Sequence, residues 1–446
     1  MQASLTSNPP EIVMHRSFCW ACLGLALVLT SNAVAPPLAL FHPESFSAGE
    51  DLSAKDRMAN FEKIWHSIKD NYYDPQMNGV NWDEVHQRYR SQVEATTSDQ
   101  DFYSLMERMA GELHDAHTHV LDPAKAANFR KQKILILGFR MDVFDGKLVI
   151  TEAEPGSDAQ QAGIVPGTSI ETIDGTPLAA KLEESAARLT NSSSVRATQM
   201  RLYASVLDGP PDSIVKLGLK RPDGSRFETT LKRNFNGLNP RLSARILPSG
   251  NAYIRFDAFY PPVASDFKNA LQKFRDAPGL IIDLRMNPGG SGEELMAIAG
   301  NFFSRTVFAK NKLRTRDIRP IYVESKDGQI YSGPVVILVT QHSGSSSELF
   351  AGGMQDSGRA KIVGSQTCGC VLGVPNPVEL KGGGLVMISK VLWFTPSGRK
   401  LEGEGVIPDK VVSLTMADVI GRRDPALDAG DQLLKEMPSS KAMAAH

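Results

Sequence analysis

Along the chain the spacing of apolar positions changes, and each change marks a new kind of structure. From about 52 to 122 apolar residues recur at helix spacing: Phe61, Ile64, Trp65, Ile68 and Tyr72, then Trp82, Val85 and Tyr89, then a third stretch from Phe102 to Leu113. From about 134 the period falls to that of strands. Ile134–Met141 and Leu148–Ile150 flank Asp145-Gly146, and Val215–Leu219 and Phe227–Leu231 flank Asp223-Gly224. Both patterns are hairpin signals. The polar stretch 184–210 between them reads as a helical insertion. From about 240 short unbroken apolar runs alternate with helical segments. Ala252–Phe256, Leu280–Leu284, Val335–Val339 and Ile362-Val363 read as strands, and Glu293–Phe303 and Ser346–Asp356 as helices. Unbroken apolar strands between helices predict an α/β domain whose sheet is covered on both faces.

Composition narrows the class. At 446 residues the chain is too long for one ordinary domain, and 41% apolar with 22% charged residues is a globular balance. The net charge is -1, from 49 basic and 50 acidic residues, which gives no electrostatic case for nucleic acid or an anionic membrane as partner. The first 35 residues differ from the rest. His15 and Arg16 precede the apolar run Phe18–Leu29, and small residues follow at Ser31 to Ala35. This is the layout of a secretory signal, with cleavage after Ala33. The run is shorter than the roughly 20 residues of a membrane span. Membrane contact is therefore expected only through an uncleaved signal, and the body is expected in a periplasmic or secreted location. Residues 36–51 read as a leader. Cys19 and Cys22 fall in the signal, leaving Cys368 and Cys370, which stand too close for a disulfide framework and are expected to be packing residues.

Two glycine-rich turns carry the candidate chemistry. Strand 335–339 runs through Thr340 into Gly344-Ser345-Ser346-Ser347-Glu348 and a helix. A serine at such a turn projects from the sheet edge, and the helix N-terminus favours negative charge beside it. The Ser346 N–H is a candidate oxyanion donor. The turn Asn287-Pro288-Gly289-Gly290-Ser291-Gly292 also leaves a buried strand and enters a helix, and its Gly289 and Gly290 can present further N–H groups. Taken from the residues alone, either turn also reads as an ordinary cap or tight connection.

Together and in this order the segments resemble the tail-specific, or C-terminal processing, proteases and their tricorn-protease relatives. The likeness rests on 279–290, 344–356, Arg359–Gly364 and Glu404–Asp409, and spans roughly 55–415. The segment 155–178 resembles a PDZ domain. The resemblance implies a multidomain α/β protein: an N-terminal helical region at 52–125, a PDZ-like β-rich domain with a helical insertion at 130–234, a crotonase-like α/β (ββα spiral) catalytic core at 240–415, and a helical tail at 416–446. It implies a serine endopeptidase acting on polypeptides, with Ser345 as nucleophile and no metal or other cofactor. Leu137, Gly138 and Phe139 resemble the peptide-binding loop of the PDZ part. The sequence leaves the oligomeric state open. The alternative on the same scaffold is a binding protein without peptidase chemistry, as in interphotoreceptor retinoid-binding protein.

One departure redirects the mechanism. Many bacterial members pair the serine with a lysine, and that position is Cys370 here. A thiol does not replace the lysine amine as base. The tricorn-like branch, which the chain resembles more closely, uses a histidine and a carboxylate instead. Asp115-Ala116-His117-Thr118 matches the histidine motif, and Glu402, three residues before Gly405, matches the carboxylate. The expected set is Ser345, His117 and Glu402, with His342 and Glu404 as rivals. His114, His117 and His119 lie close together but lack an acidic or cysteine partner at metal-ligand spacing.

Overall fold

A computed structural model describes residues 51–237 and 242–437. The signal and leader expectations for 1–50, and the end of the tail, lie outside the described residues. No described helix is long and apolar enough to cross a membrane.

The N-terminal helices are Ala54–Asn71, Trp82–Glu94 and Asp99–Gly111, capped by Ser53, Asn81 and Ser98. Each cap side chain accepts an otherwise orphaned backbone N–H in the first turn. Their apolar stripes meet around Phe61, Ile68, Val85 and Met106, but the cluster is completed by Leu372, Leu380, Val386 and Leu392 from far along the chain. The first helices therefore fold onto the later domain. The short strand His119–Leu121 fixes this attachment by pairing antiparallel with Leu385–Met387.

A β-rich unit follows. Phe139–Phe144, Lys147–Ala153, Thr168–Ile173, Ile214–Lys220 and Arg226–Lys232 form its sheet in that order, with Phe139–Phe144 at one edge. Leu148, Ile150, Ile170, Leu217 and Leu219 fill the core beneath it. The polar stretch holds two helices, Leu178–Ala186 and Val195–Ser205.

The α/β unit is a six-stranded sheet. Leu242–Ile246 is antiparallel to Ala252–Phe256, and Leu280–Asp283, Val335–Val339, Lys361–Gly364 and Lys410–Val411 continue from there in parallel. Alternate residues on each strand enter different cores. Ile254, Ile282 and Ile337 face a large cluster with Phe256, Phe267 and Phe350, while Tyr253, Ile281, Val336 and Leu338 face a second one that Leu434 completes. Both faces are covered, which is why these strands read as unbroken apolar runs. The parallel register brings the ends of Ala252–Phe256, Leu280–Asp283 and Val335–Val339 to one edge, where crevices form in such sheets.

Phe350 sits fully buried in the helix behind that edge and contacts the rings of Phe259, Phe302 and Phe308. Phe350→Ala is expected to lower stability by about 3–5 kcal/mol, read from the denaturant midpoint.

Candidate active site

Ser345 immediately precedes the helix Ser346–Asp356 with φ 51 and ψ -116. A non-glycine residue in this region costs roughly 1–3 kcal/mol, and such strain persists only where the surroundings impose it. The surroundings here are specific. The Ser345 N–H donates to the Cys370 carbonyl at 3.0 Å and to Glu348 Oε2 at 3.1 Å. Gly344 N–H donates to the Asn287 carbonyl at 3.1 Å. Ser347 Oγ donates to the same carbonyl and Ser346 Oγ to the Gly290 carbonyl, each at 2.8 Å. The two turns expected to adjoin are thus bonded together. At Gly289, with φ 107, a Cβ would lie 2.7 Å from Ser345 Cβ and 2.8 Å from Ser346 N. Only glycine permits that approach.

The expected oxyanion residues do not behave alike. The Gly289 N–H is held by Asn287 Oδ1 at 2.9 Å, so it is committed to shaping its own turn. Gly290 and Ser346 stand on facing turns, linked by the Ser346 hydroxyl.

Glu348 has a larger part than a first-turn helix carboxylate. It is fully buried and accepts from Thr367 Oγ1 at 2.6 Å, Gly369 N at 2.7 Å and Cys370 N at 3.0 Å, besides Ser345 N. Burial pushes its carboxyl up to about 7 against the pull of those hydrogen bonds. Glu402, the expected catalytic carboxylate, lies on the other side of the same loop. It is buried and accepts the Val371 N–H at 2.6 Å. Burial pushes it up to about 8, with Ser193 and Val371 pulling down and Asp115 and Glu348 pushing further up. Its rival Glu404 is exposed.

Cys368 and Cys370 form a disulfide, against the expectation of unpaired packing residues. Gly369 between them takes φ 75, and this left-handed turn holds their Cα atoms 5.4 Å apart, within disulfide range.

His117 lies half-buried on the turn before the strand His119–Leu121. Asp115 builds that turn, accepting from His117 N at 2.7 Å, from Thr118 N and Oγ1, and from Ser389 Oγ. Enclosure pushes the His117 ring down to about 4, Asp115 opposing. Its Nδ1 has no partner, and among the described residues the ring has no hydrogen bond to Ser345 or Glu402. Ser193 joins Glu402 to the backbone of the histidine turn: its hydroxyl accepts from Ala116 N at 2.9 Å and hydrogen-bonds with Glu402. Sequence reasoning missed Ser193: it lies in the polar run Asn191-Ser192-Ser193-Ser194, where nothing marks one serine from its neighbours. The other nearby histidines are engaged elsewhere. His119 is held by Glu107 Oε1 at 2.8 Å and the Ala116 carbonyl at 3.0 Å. His342 faces Asp142 at 3.4 Å.

Leu137-Gly138-Phe139 lies apart from this cluster, joining the strand Lys133–Ile136 to the sheet-edge strand Phe139–Phe144. The Gly138 carbonyl accepts from Glu154 N at 2.8 Å and Ser157 Oγ at 3.0 Å.

Residues 250–412 match peptidase family S41, and residues 53–111 match the tricorn protease C1 domain. The chain carries an S41 peptidase domain and is a serine-type peptidase. It is similar to carboxyl-terminal-processing peptidase 3, chloroplastic, of Arabidopsis thaliana, 25% identical over 89% of this chain and 76% of the relative. The carboxyl-terminal-processing protease of Synechocystis sp. is 26% identical over 83% of this chain and 85% of the relative. The photosystem II D1 C-terminal processing protease has a similar fold, with TM-score 0.58 and 22% identity over 85% of this chain and 97% of that one.

The raised carboxyls have a consequence for stability. Between the ordinary value of 4.5 and about 8, folded Glu402 keeps a proton that the unfolded chain releases. Its contribution to stability is fully present below 4.5 and is lost as pH rises through about 8. Denaturant midpoints measured across this window should decline with pH. Glu402→Gln should make the decline shallower, leaving the share of Glu348; an unchanged slope would contradict the assignment.

Proposed function

We propose that the chain is an exported serine endopeptidase that cleaves unfolded or C-terminally exposed polypeptides through Ser345, His117 and Glu402. The observation that carries this reading is the strained Ser345 backbone, held at a strand-to-helix turn against the Gly289-Gly290 turn. In this reading Ser345 Oγ attacks the scissile carbonyl carbon while His117 takes its proton. The resulting oxyanion accepts hydrogen bonds from Gly290 N and Ser346 N, Gly289 N being committed to Asn287. Collapse breaks the C–N bond, and the leaving amine takes the proton back from His117. The acyl group stays on Ser345 until water, deprotonated by His117, repeats the attack. Glu402 positions the histidine turn through Ser193, which also accepts the Ala116 N–H.

Several observations favour His117 over other bases. The lysine position is Cys370, whose sulfur is already bonded to Cys368. His342 is turned to Asp142. The absence of a direct hydrogen bond to Ser345 accords with free enzymes, in which catalytic contacts tighten on binding.

The remaining domain assignments belong to the same reading. Residues 130–234 act as a PDZ-like domain, with substrate adding as a strand beside Phe139–Phe144, an edge of its sheet. Residues 240–415 act as a crotonase-like catalytic core. The segment 1–35 directs the chain to the periplasm or beyond. The names of the curated relatives, which specify carboxyl-terminal processing, support the substrate class.

A fluorophosphonate probe tests the nucleophile: wild-type chain should be labelled and Ser345→Ala should not. Equal labelling of both would sink the assignment, and no labelling of folded wild type would favour the ligand-binding alternative. His117→Ala should lower kcat by on the order of 10⁴-fold or more, measured on an unfolded protein substrate.

A further inference from the structure

The loop from Thr367 to Val371 touches Ser345, Glu348 and Glu402. Its Cys370 carbonyl accepts from Ser345 N, and its Thr367 hydroxyl, Gly369 N–H and Cys370 N–H all end on Glu348. Val371 N–H ends on Glu402. Ser194 Oγ donates to the Cys368 carbonyl, and Arg196 Nε to the Thr367 carbonyl at 2.6 Å. Within this loop the Cys368–Cys370 disulfide closes a ring around Gly369.

We propose that Cys368–Cys370 is a site of thiol–disulfide exchange with an external dithiol, and that its oxidised state holds Ser345 in register for catalysis. The proposal rests on Ser345 being the nucleophile. Two thiols need more room than one disulfide, and little is free here. Cys368 is 2% exposed. Cys370 Sγ lies 3.3 Å from where a Cβ on Gly344 would stand, and a Cβ on Gly369 would meet the Gly403 backbone at 3.0 Å. The loop backbone must therefore shift when the bond opens. That displaces the carbonyl that fixes Ser345 N–H and the donors on Glu348.

Cys370 is the more exposed residue of the pair and its sulfur is the point of entry. A thiolate of the dithiol attacks Cys370 Sγ, and the S–S electron pair leaves on Cys368 Sγ, which takes a proton. The second thiolate then attacks the reagent's own sulfur in the mixed disulfide and releases Cys370, which also takes a proton. Two electrons and two protons pass from the dithiol to the cystine, and the dithiol leaves as its own disulfide. Disulfides persist in exported compartments, so the oxidised form is the resting one there.

The test titrates the whole chain with dithiothreitol and then reoxidises it. Alkylation and peptide mapping report the state of Cys368 and Cys370, separately from Cys19 and Cys22. Fluorophosphonate labelling of Ser345 and amide hydrogen exchange of the peptide spanning 365–372 are followed in parallel. Reduction should slow labelling by about 10- to 100-fold, the scale of a displacement of about 1 Å at a reacting group. It should also speed exchange in that peptide, and reoxidation should restore both. The Cys368→Ser/Cys370→Ser chain should match the reduced wild type and ignore dithiothreitol. Full reduction with unchanged labelling, free thiols in the oxidised preparation, or a bond that resists dithiothreitol in the folded chain would each overturn the proposal. If the oxidised chain is never labelled at Ser345, the peptidase reading fails instead. Exchange then decides whether the disulfide still orders the loop: unchanged exchange on reduction overturns that too. Should the double variant not fold, the reversible change in wild type carries the decision.

Discussion

Glu348 is fully buried one turn into the helix that follows Ser345, and it gathers donors from the Ser345 turn and from the loop 367–370 at once. Taking a carboxylate out of water costs several kcal/mol. Net gains of about 1.5–3 kcal/mol for each hydrogen bond to a charged group offset that cost only if nearly all four are made together. A partial arrangement leaves a buried group unsatisfied, so the loop and the turn hold each other in one geometry. The positive-φ Ser345 backbone goes with this coupling: its N–H is shared between Glu348 and the Cys370 carbonyl.

The rest of the molecule delivers the parts to that point. Strands covered on both faces bring the Ser345 and Gly289 turns to one sheet edge, and the backbone bonds through Asn287 lock them together. The N-terminal helices share a core with the hairpin around Leu385, which sets the His117 turn beside the catalytic domain. The helical insertion of the β-rich unit reaches the same place through Ser193, Ser194 and Arg196. The Ser345 turn and the helical insertion thus meet on the loop 367–371.

Much of this was legible in the sequence. Period changes located the helices, hairpins and covered sheet because burial on one or two faces leaves a direct trace in the apolar pattern. The motif order points to Ser345 rather than Ser346 or Ser347, and Glu402 is buried where Glu404 is exposed. What escaped has a common cause. Ser193, the work of Glu348, the engagement of Gly289 by Asn287 and the Cys368–Cys370 bond are all decided by tertiary contacts or by one glycine dihedral. Neither leaves a periodic signal. The disulfide was excluded from sequence separation alone, and Gly369 at φ 75 removes that objection.

In the proposed mechanism Ser345, the Gly290 and Ser346 N–H groups, and His117 converge on one reacting carbonyl. That convergence is tested most directly by a crystal structure of the chain with a peptidyl boronic acid. The expected result is a tetrahedral boronate on Ser345 Oγ, one oxygen accepting from Gly290 N and Ser346 N, and the His117 ring hydrogen-bonded at the adduct. A boronate bound elsewhere, or one on Ser345 with His117 still turned away and another base in its place, would contradict it.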